Sequence, residues 1–65
     1  MFVIVNGLAH PLPESRTLAA LLLSLSPPAP FAVARNEEVV PRETYEHCRI
    51  HPGDRIDIVH PTAGG

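Results

Sequence analysis

The chain has 65 residues and a formal net charge of −2 at pH 7. A chain of this length forms one small domain that buries only about 60% of its unfolded surface, so we expect no enzyme-sized pocket beside its core. Its basic residues are five arginines spread along the sequence, and no basic cluster favours nucleic-acid binding. These properties indicate a protein that binds or is acted upon and argue against a catalyst.

The cysteine content and the apolar stretches predict a soluble cytoplasmic protein. The one cysteine, Cys48, cannot form an internal disulfide, which fits a reducing compartment. Residues 1–5 are apolar but lack the basic start and the length of a signal peptide. No stretch approaches the length of a membrane span.

The start of the chain predicts a β-hairpin. Residues 2–5 are β-branched and aromatic and are apolar on both faces, which favours a strand inside a sheet. Asn6-Gly7 is a turn signal, because a type I′ turn requires positive φ at both positions. Residues 8–12 return antiparallel, and Pro11 and Pro13 place this strand at an edge because proline cannot donate to a ladder.

One helix is predicted after the hairpin, with Thr17 as its N-cap. An apolar stripe follows at helical spacing, formed by Leu18, Leu21, Leu22 and Leu25. Leu23 falls off this stripe and is expected to be partly exposed. The proline-rich residues 27–30 end the helix, because a residue before proline avoids helical dihedrals. We expect the stripe to cover one face of the sheet.

Three further strands are predicted at residues 31–34, 38–40 and 55–60, with Ile56 and Ile58 on one face of the last strand. Asn36-Glu37 is expected to form a turn. Pro41 fits the first position of a helical turn, and Tyr45 is expected to close one end of the core. The predicted fold class is α+β, with one main helix packed across one face of a mixed sheet of four to five strands.

The chain ends on Ala63-Gly64-Gly65 shortly after the last predicted strand. Because glycine has no Cβ, such an end is thin and pliable enough to thread a narrow channel and present its carboxylate to another protein. The alternative is a frayed terminus without a role, which is common at the ends of domains. We expect residues 1–65 to form a single domain in which residues 61–65 are a flexible C-terminal tail.

Taken together, the order of elements, the length and the Gly-Gly end resemble the ubiquitin-like β-grasp domains. Within that group the chain resembles the ThiS family, the sulfur carriers of thiamine (thiazole) biosynthesis. The matching segments are Asn6-Gly7, Thr17-Leu18, Leu21-Leu22, Val39-Val40-Pro41-Arg42 with Tyr45, Gly53-Asp54 with Ile56 and Ile58, and Ala63-Gly64-Gly65. They cover essentially the whole chain. Pro61 and the loop at residues 27–30 depart from the family pattern.

The resemblance implies a chemical role for the C-terminus and no catalytic residue in the chain itself. A ThiF-like adenylating enzyme, related to ubiquitin-activating enzymes, would use ATP and magnesium to form an acyl-adenylate on Gly65. A sulfur donor such as a cysteine desulfurase would then yield a thiocarboxylate, which delivers sulfur to a ThiG-like thiazole synthase. Gly64, Ala63 and Thr62 would thread the partners' channels.

We expect no bound cofactor or metal, and neither nucleic acid nor membrane as a partner. Because a threaded tail offers little contact area, we also expect an apolar docking patch on the uncovered face of the sheet. Alternative hypotheses are the small subunit of molybdopterin synthase, a tRNA-thiolation carrier, a protein-conjugating modifier, and a β-grasp binding module with no chemistry at its end.

Other reactive residue types are better explained by structure. His47, Cys48 and His51 lie within five positions, but a structural zinc site needs a fourth ligand. Cys48 is expected to be a buried or half-buried thiol and not a nucleophile. The acidic residues at positions 37, 38, 43 and 46 are expected to be solvated, and His60 to lie on the surface at the end of a strand.

Overall fold

The computed structural model describes residues 1–61. Its elements are β1 (Phe2–Val5), β2 (Leu8–Pro11), α1 (Leu18–Leu25), β3 (Ala32–Arg35), β4 (Glu38–Val39), a 3₁₀ turn (Arg42–Thr44) and β5 (Arg55–Val59). The five strands form one mixed sheet in the order β2-β1-β5-β3-β4. The last strand, β5, therefore lies at the centre, parallel to β1 and antiparallel to β3.

The first hairpin confirms the turn signal in the sequence. Asn6 and Gly7 have φ values of 49° and 84°, the left-handed region that a type I′ turn requires. β1 lies inside the sheet and β2 at its edge, as predicted from their apolar and proline content. β2 ends at Pro11, one residue before the predicted end.

The helix begins and ends as the sequence predicts. The Thr17 hydroxyl accepts a hydrogen bond from the Ala20 backbone N–H at 3.2 Å, which confirms the N-cap. Ser26 ends the helix in a left-handed conformation, and its N–H donates to the Leu22 carbonyl at 2.8 Å. Leu23 points away from the sheet and is 80% exposed.

The core lies between α1 and the face of the sheet that it covers. Its buried members in the described part of the chain are Val3, Val5, Leu18, Leu21, Leu22, Val33, Ile50, Ile56 and Ile58. Ile50 is fully buried although it belongs to no helix or strand. An isolated antiparallel bridge between Arg49 and Thr17 holds its loop against the start of the helix, and one of its two hydrogen bonds runs from the Ile50 N–H to the Arg16 carbonyl at 2.9 Å.

The second half of the chain differs from prediction mainly at element ends. β3 begins at Ala32 and β4 ends at Val39, each one residue inside the predicted range. Pro41 is the N-cap of the 3₁₀ turn and not its first residue, because its ψ of 140° is extended. Tyr45 is half-buried and packs against the core, as expected. No helix within residues 1–61 is long and apolar enough to cross a membrane.

Candidate functional site

The predicted reactive residue, Gly65, lies outside the described residues, as do the predicted tail residues Thr62, Ala63 and Gly64. The candidate site within residues 1–61 is therefore the region from which the chain leaves the sheet towards them. That region is the C-terminal end of β5 together with His60 and Pro61.

On one side, β3 and the residue before it hold the end of β5. Val59 pairs with Ala32, the last rung between these strands. The next residue, His60, places its ring against Phe31 with the ring centroids 6.4 Å apart and the planes inclined at 62°. This is the edge-to-face arrangement that aromatic rings prefer. His60 is exposed at the end of the strand, as the sequence predicted.

On the other side, the end of β5 is held by the side chain of Asn6. The last pair between β1 and β5 is Val5 with Ile56, so no β1 residue pairs with Ile58. Instead, the Asn6 Oδ1 atom accepts a hydrogen bond from the Ile58 N–H at 2.7 Å, and Nδ2 donates to the Ile58 carbonyl at 3.3 Å. The sequence indicates Asn6 only as a residue of the turn. The missed signal is that asparagine side chains commonly bond to backbone groups.

The sheet face not covered by α1 is largely apolar. Because side chains alternate along a strand, the neighbours of the buried Ile56 and Ile58 point away from the helix. The strand register places these apolar residues on the open face: Phe2, Ile4, Ala32, Ala34, Val39 and Val59. Phe2, Val39 and Val59 are 55%, 73% and 59% exposed. The apolar patch predicted on the uncovered face is therefore present; we call it the open apolar face, and β5 continues from it towards the C-terminus.

One carboxylate interrupts the open apolar face. Asp57 is half-buried at its centre, directly opposite Ala34 on β3. Both ion pairs found within residues 1–61 involve other groups, Arg35 with Asp54 and Arg55 with Glu37. The open face thus carries the carboxylate of Asp57 and the guanidinium of Arg55 within apolar surroundings, and the charge of Arg55 is paired with Glu37.

The opposite end of β5 is fixed by a polar cluster around Asp54. Its carboxylate accepts hydrogen bonds from Arg35 Nε at 2.9 Å, the His51 N–H at 2.8 Å and Asn36 Nδ2 at 3.2 Å. Burial alone would raise the pKa of Asp54, but these hydrogen bonds outweigh it and hold the pKa below its usual value. The bond to Asp54 likewise raises the pKa of Arg35. The cluster fixes the turn that leads into β5.

An open groove lies between the C-terminal half of α1 and the 3₁₀ turn, with a volume of about 620 Å³. Its apolar lining includes Leu22, Leu23, Phe31 and Tyr45. The groove is a shallow gap between two surface elements and not an enclosed cavity of the kind that buries most of a ligand's surface. The acidic residues that line the groove, Glu43 and Glu46, are exposed, as predicted.

The possible zinc ligands do not assemble into a site. Within residues 1–61, no group of three or more His, Cys, Asp or Glu side chains is placed to hold one metal ion. His47 and His51 are exposed. Cys48 is half-buried against the core, and its backbone carbonyl accepts a hydrogen bond from the Leu18 N–H at 2.8 Å. Its placement is that of a structural thiol.

The crystal structure of a thiamine biosynthesis protein (ThiS) from Geobacter metallireducens matches this structure with a TM-score of 0.83, at 25% identity and over 100% of both chains. The fold is therefore a ubiquitin-like β-grasp. The model of the ThiS family matches residues 3–65, and the chain belongs to the ThiS family.

Two longer proteins contain a region similar to this chain. A thiazole synthase of Magnetococcus marinus is 38% identical to it over 66 aligned positions, and a thiazole synthase of Paramagnetospirillum magneticum is 35% identical over 66. Each alignment covers 100% of this chain but 20% of the relative. The chain thus spans about a fifth of the length of the curated relatives it matches.

Proposed function

We propose that this chain is a sulfur carrier of thiamine (thiazole) biosynthesis, which other enzymes modify and which is not itself an enzyme. The observation that carries the proposal is the ThiS-family match, because it runs over residues 3–65 and so includes Gly64 and Gly65. The fold supports it, since the central strand β5 leads towards the segment that ends in these glycines.

In the proposed reaction, the Gly65 carboxylate attacks the α-phosphate of ATP on an adenylating enzyme, forming an acyl-adenylate and releasing pyrophosphate. Activation is required because a carboxyl group with a pKa of about 3.3–3.7 is ionised at neutral pH and is a poor electrophile. Magnesium and ATP belong to the adenylating enzyme, and the carrier holds the reactive atom as a group carrier does.

Sulfur would enter from a persulfide, as on a cysteine desulfurase. Its terminal sulfur attacks the acyl carbon, and AMP leaves with the bonding electrons. A second thiol then cleaves the S–S bond of the acyl disulfide, forming a disulfide with the donor cysteine and releasing the thiocarboxylate on Gly65. Because these steps need ATP and reduced thiols, we place the protein in the cytoplasm.

Two parts of the chain are proposed to meet the adenylating enzyme. Thr62, Ala63 and Gly64 would thread its channel, where the small side chains of the last residues reduce steric conflict. The open apolar face would dock on the enzyme body, because β5 connects this face to the tail and tail contacts alone bury little area. A basic group of the enzyme would pair with Asp57.

As the acceptor of the sulfur we propose a thiazole synthase. The support is that two proteins of this name contain a region similar to the whole of this chain. This observation favours thiazole formation over the molybdopterin-synthase and tRNA-thiolation alternatives.

The proposal is tested by the intact mass of the protein from its native cell, or after incubation with ATP, a sulfur donor and the co-purifying adenylating enzyme. Replacing one carboxylate oxygen with sulfur adds about 16 Da. Fragmentation must place the increment on Gly65, because oxidation of Met1 or Cys48 adds nearly the same mass. An unmodified Gly65 in the presence of every component would contradict the carrier function and favour a binding module.

A further inference from the structure

We propose that Asn6 is a positioning residue for the reaction at Gly65. Its side-chain amide holds the last residues of β5 and thereby sets the place and direction in which the chain leaves the sheet. This inference rests on the proposed function, because it concerns how the reactive end is presented to the adenylating enzyme.

At the turn after β1, the side chain of Asn6 takes the place of a further β1 residue in the pairing with β5. The Asn6 N–H donates to the Ile56 carbonyl at 2.9 Å, in line with the pairing of β1 and β5. At Asn6 the backbone then turns away with a φ of 49°. Its amide, which carries a donor and an acceptor like a peptide group, takes the next place along the ladder. Both backbone groups of Ile58 are therefore bonded to Asn6.

This amide is the last hydrogen-bonding contact of β5 on the side of β1. Beyond Ile58, the contacts found within residues 1–61 come from the other side, from Ala32 opposite Val59 and from Phe31 against His60. Without Asn6, the end of β5 would be tethered along one edge only and would be free to pivot about β3. A pivot at Ile58 would shift the point from which the chain continues towards Gly65, seven residues further along the sequence.

Asn36 provides a matched control at the other end of the same strand. It has a φ of 50°, its N–H donates to the Arg55 carbonyl at 2.7 Å, and its Oδ1 accepts from the Arg55 N–H at 2.8 Å. Both asparagines thus bind β5 through backbone and side chain from a left-handed turn position. Only Asn6 binds the end of β5 from which the tail departs.

The experiment compares Asn6→Gly with Asn36→Gly, because glycine removes the amide without straining a positive φ. Pyrophosphate release is measured with the co-purifying adenylating enzyme, ATP and magnesium, under conditions in which circular dichroism shows each variant to be folded. For Asn6→Gly we expect kcat to fall by about tenfold or more, because small displacements of a reacting group are costly. We expect its KM to stay within about twofold, because the docking face is intact. Asn36→Gly should keep both constants within about twofold of wild type.

Equal kcat values for the two folded variants would overturn the role of Asn6 while leaving the carrier function in place. A wild-type chain that is never adenylated would overturn both. If Asn6→Gly does not fold, Asn6→Asp replaces it, because aspartate tolerates positive φ and keeps the acceptor for the Ile58 N–H while losing the Nδ2 donor. A loss of kcat with unchanged KM in that variant supports the inference, and wild-type kcat contradicts it.

Discussion

Arg35 and Asp54 form an ion pair that ties the end of β3 to the turn before β5. Their Nε and Oδ2 atoms are 2.9 Å apart, and the side chains are only 31% and 12% exposed. Asp54→Asn removes the charge from a carboxylate that also accepts bonds from His51 and Asn36. We expect the free energy of unfolding to fall by about 1–3 kcal/mol, measured by chemical denaturation at pH 7. The control is Glu37→Gln, whose exposed pair with Arg55 should contribute less than about 1 kcal/mol. Equal losses of unfolding free energy in Asp54→Asn and Glu37→Gln would contradict the larger contribution expected from the bonds of Asp54.

The free energy of unfolding should depend on pH because folding lowers the pKa of Asp54. The pKa of Asp54 is lower in the folded state than its ordinary value, which is about 3.9 in an unfolded chain. The unfolded state therefore binds the proton more readily, so the contribution of Asp54 is complete above about pH 5 and is lost as pH falls through the folded pKa. We expect the stability difference between wild type and Asp54→Asn to shrink as pH is lowered from 7 towards 3, in denaturation curves at each pH. A constant difference would mean that the pKa of Asp54 is not lowered by folding.

The sequence predicted those features of the fold that depend on local pattern. The leucines of α1 revealed the covered face because their spacing follows the helical period, and Asn6-Gly7 revealed the hairpin because few residues adopt positive φ. The order of the strands depends on contacts between distant segments, so the central place of β5 was not predicted. Ile50 has no periodic neighbours, and its burial follows from a loop crossing near Thr17.

The candidate site was predictable only in part. Val39 and Val59 are apolar residues in strands, and only the register shows that they share the open face with Phe2. The hydrogen bonds from Asn6 to Ile58 join residues 52 positions apart, which no local pattern indicates. The assignments of Thr62, Ala63, Gly64 and Gly65 remain predictions from the sequence.

The open apolar face should contribute to binding the adenylating enzyme. Phe2 is its largest apolar side chain and is 55% exposed. For Phe2→Ala we expect the dissociation constant to rise about fivefold or more, as for a buried aromatic contact in an interface, measured by isothermal titration calorimetry. Leu23→Ala is the control, because Leu23 is also exposed but lies on the helix side. A larger effect at Leu23 would place the docking surface on the helix side of the molecule.

The charge of Asp57 should strengthen the binding of the adenylating enzyme. Asp57→Asn keeps the shape of the side chain and removes the charge, so we expect weaker binding at low salt because the basic group of the partner loses its counter-charge. The difference from wild type should diminish near 1 M salt, where the screening length is about 3 Å. Glu46→Gln, which removes a charge from the helix side, should bind like wild type. Tighter binding by Asp57→Asn would show that the carboxylate is desolvated without a partner.

A larger side chain at position 64 should slow adenylation with little effect on affinity for the adenylating enzyme. Gly64→Val adds a branched side chain next to the reactive carboxylate, where a narrow channel would exclude it, so we expect adenylation to slow by about 100-fold or more. The residue lies beyond β5, so thermal unfolding should match wild type, and affinity for the adenylating enzyme should fall little because the open face is unchanged. Ala63→Gly is the matched control, since it reduces bulk in the same segment and should be adenylated normally. A Gly64→Val chain that is adenylated at the wild-type rate would show that the reactive end does not pass through a narrow channel.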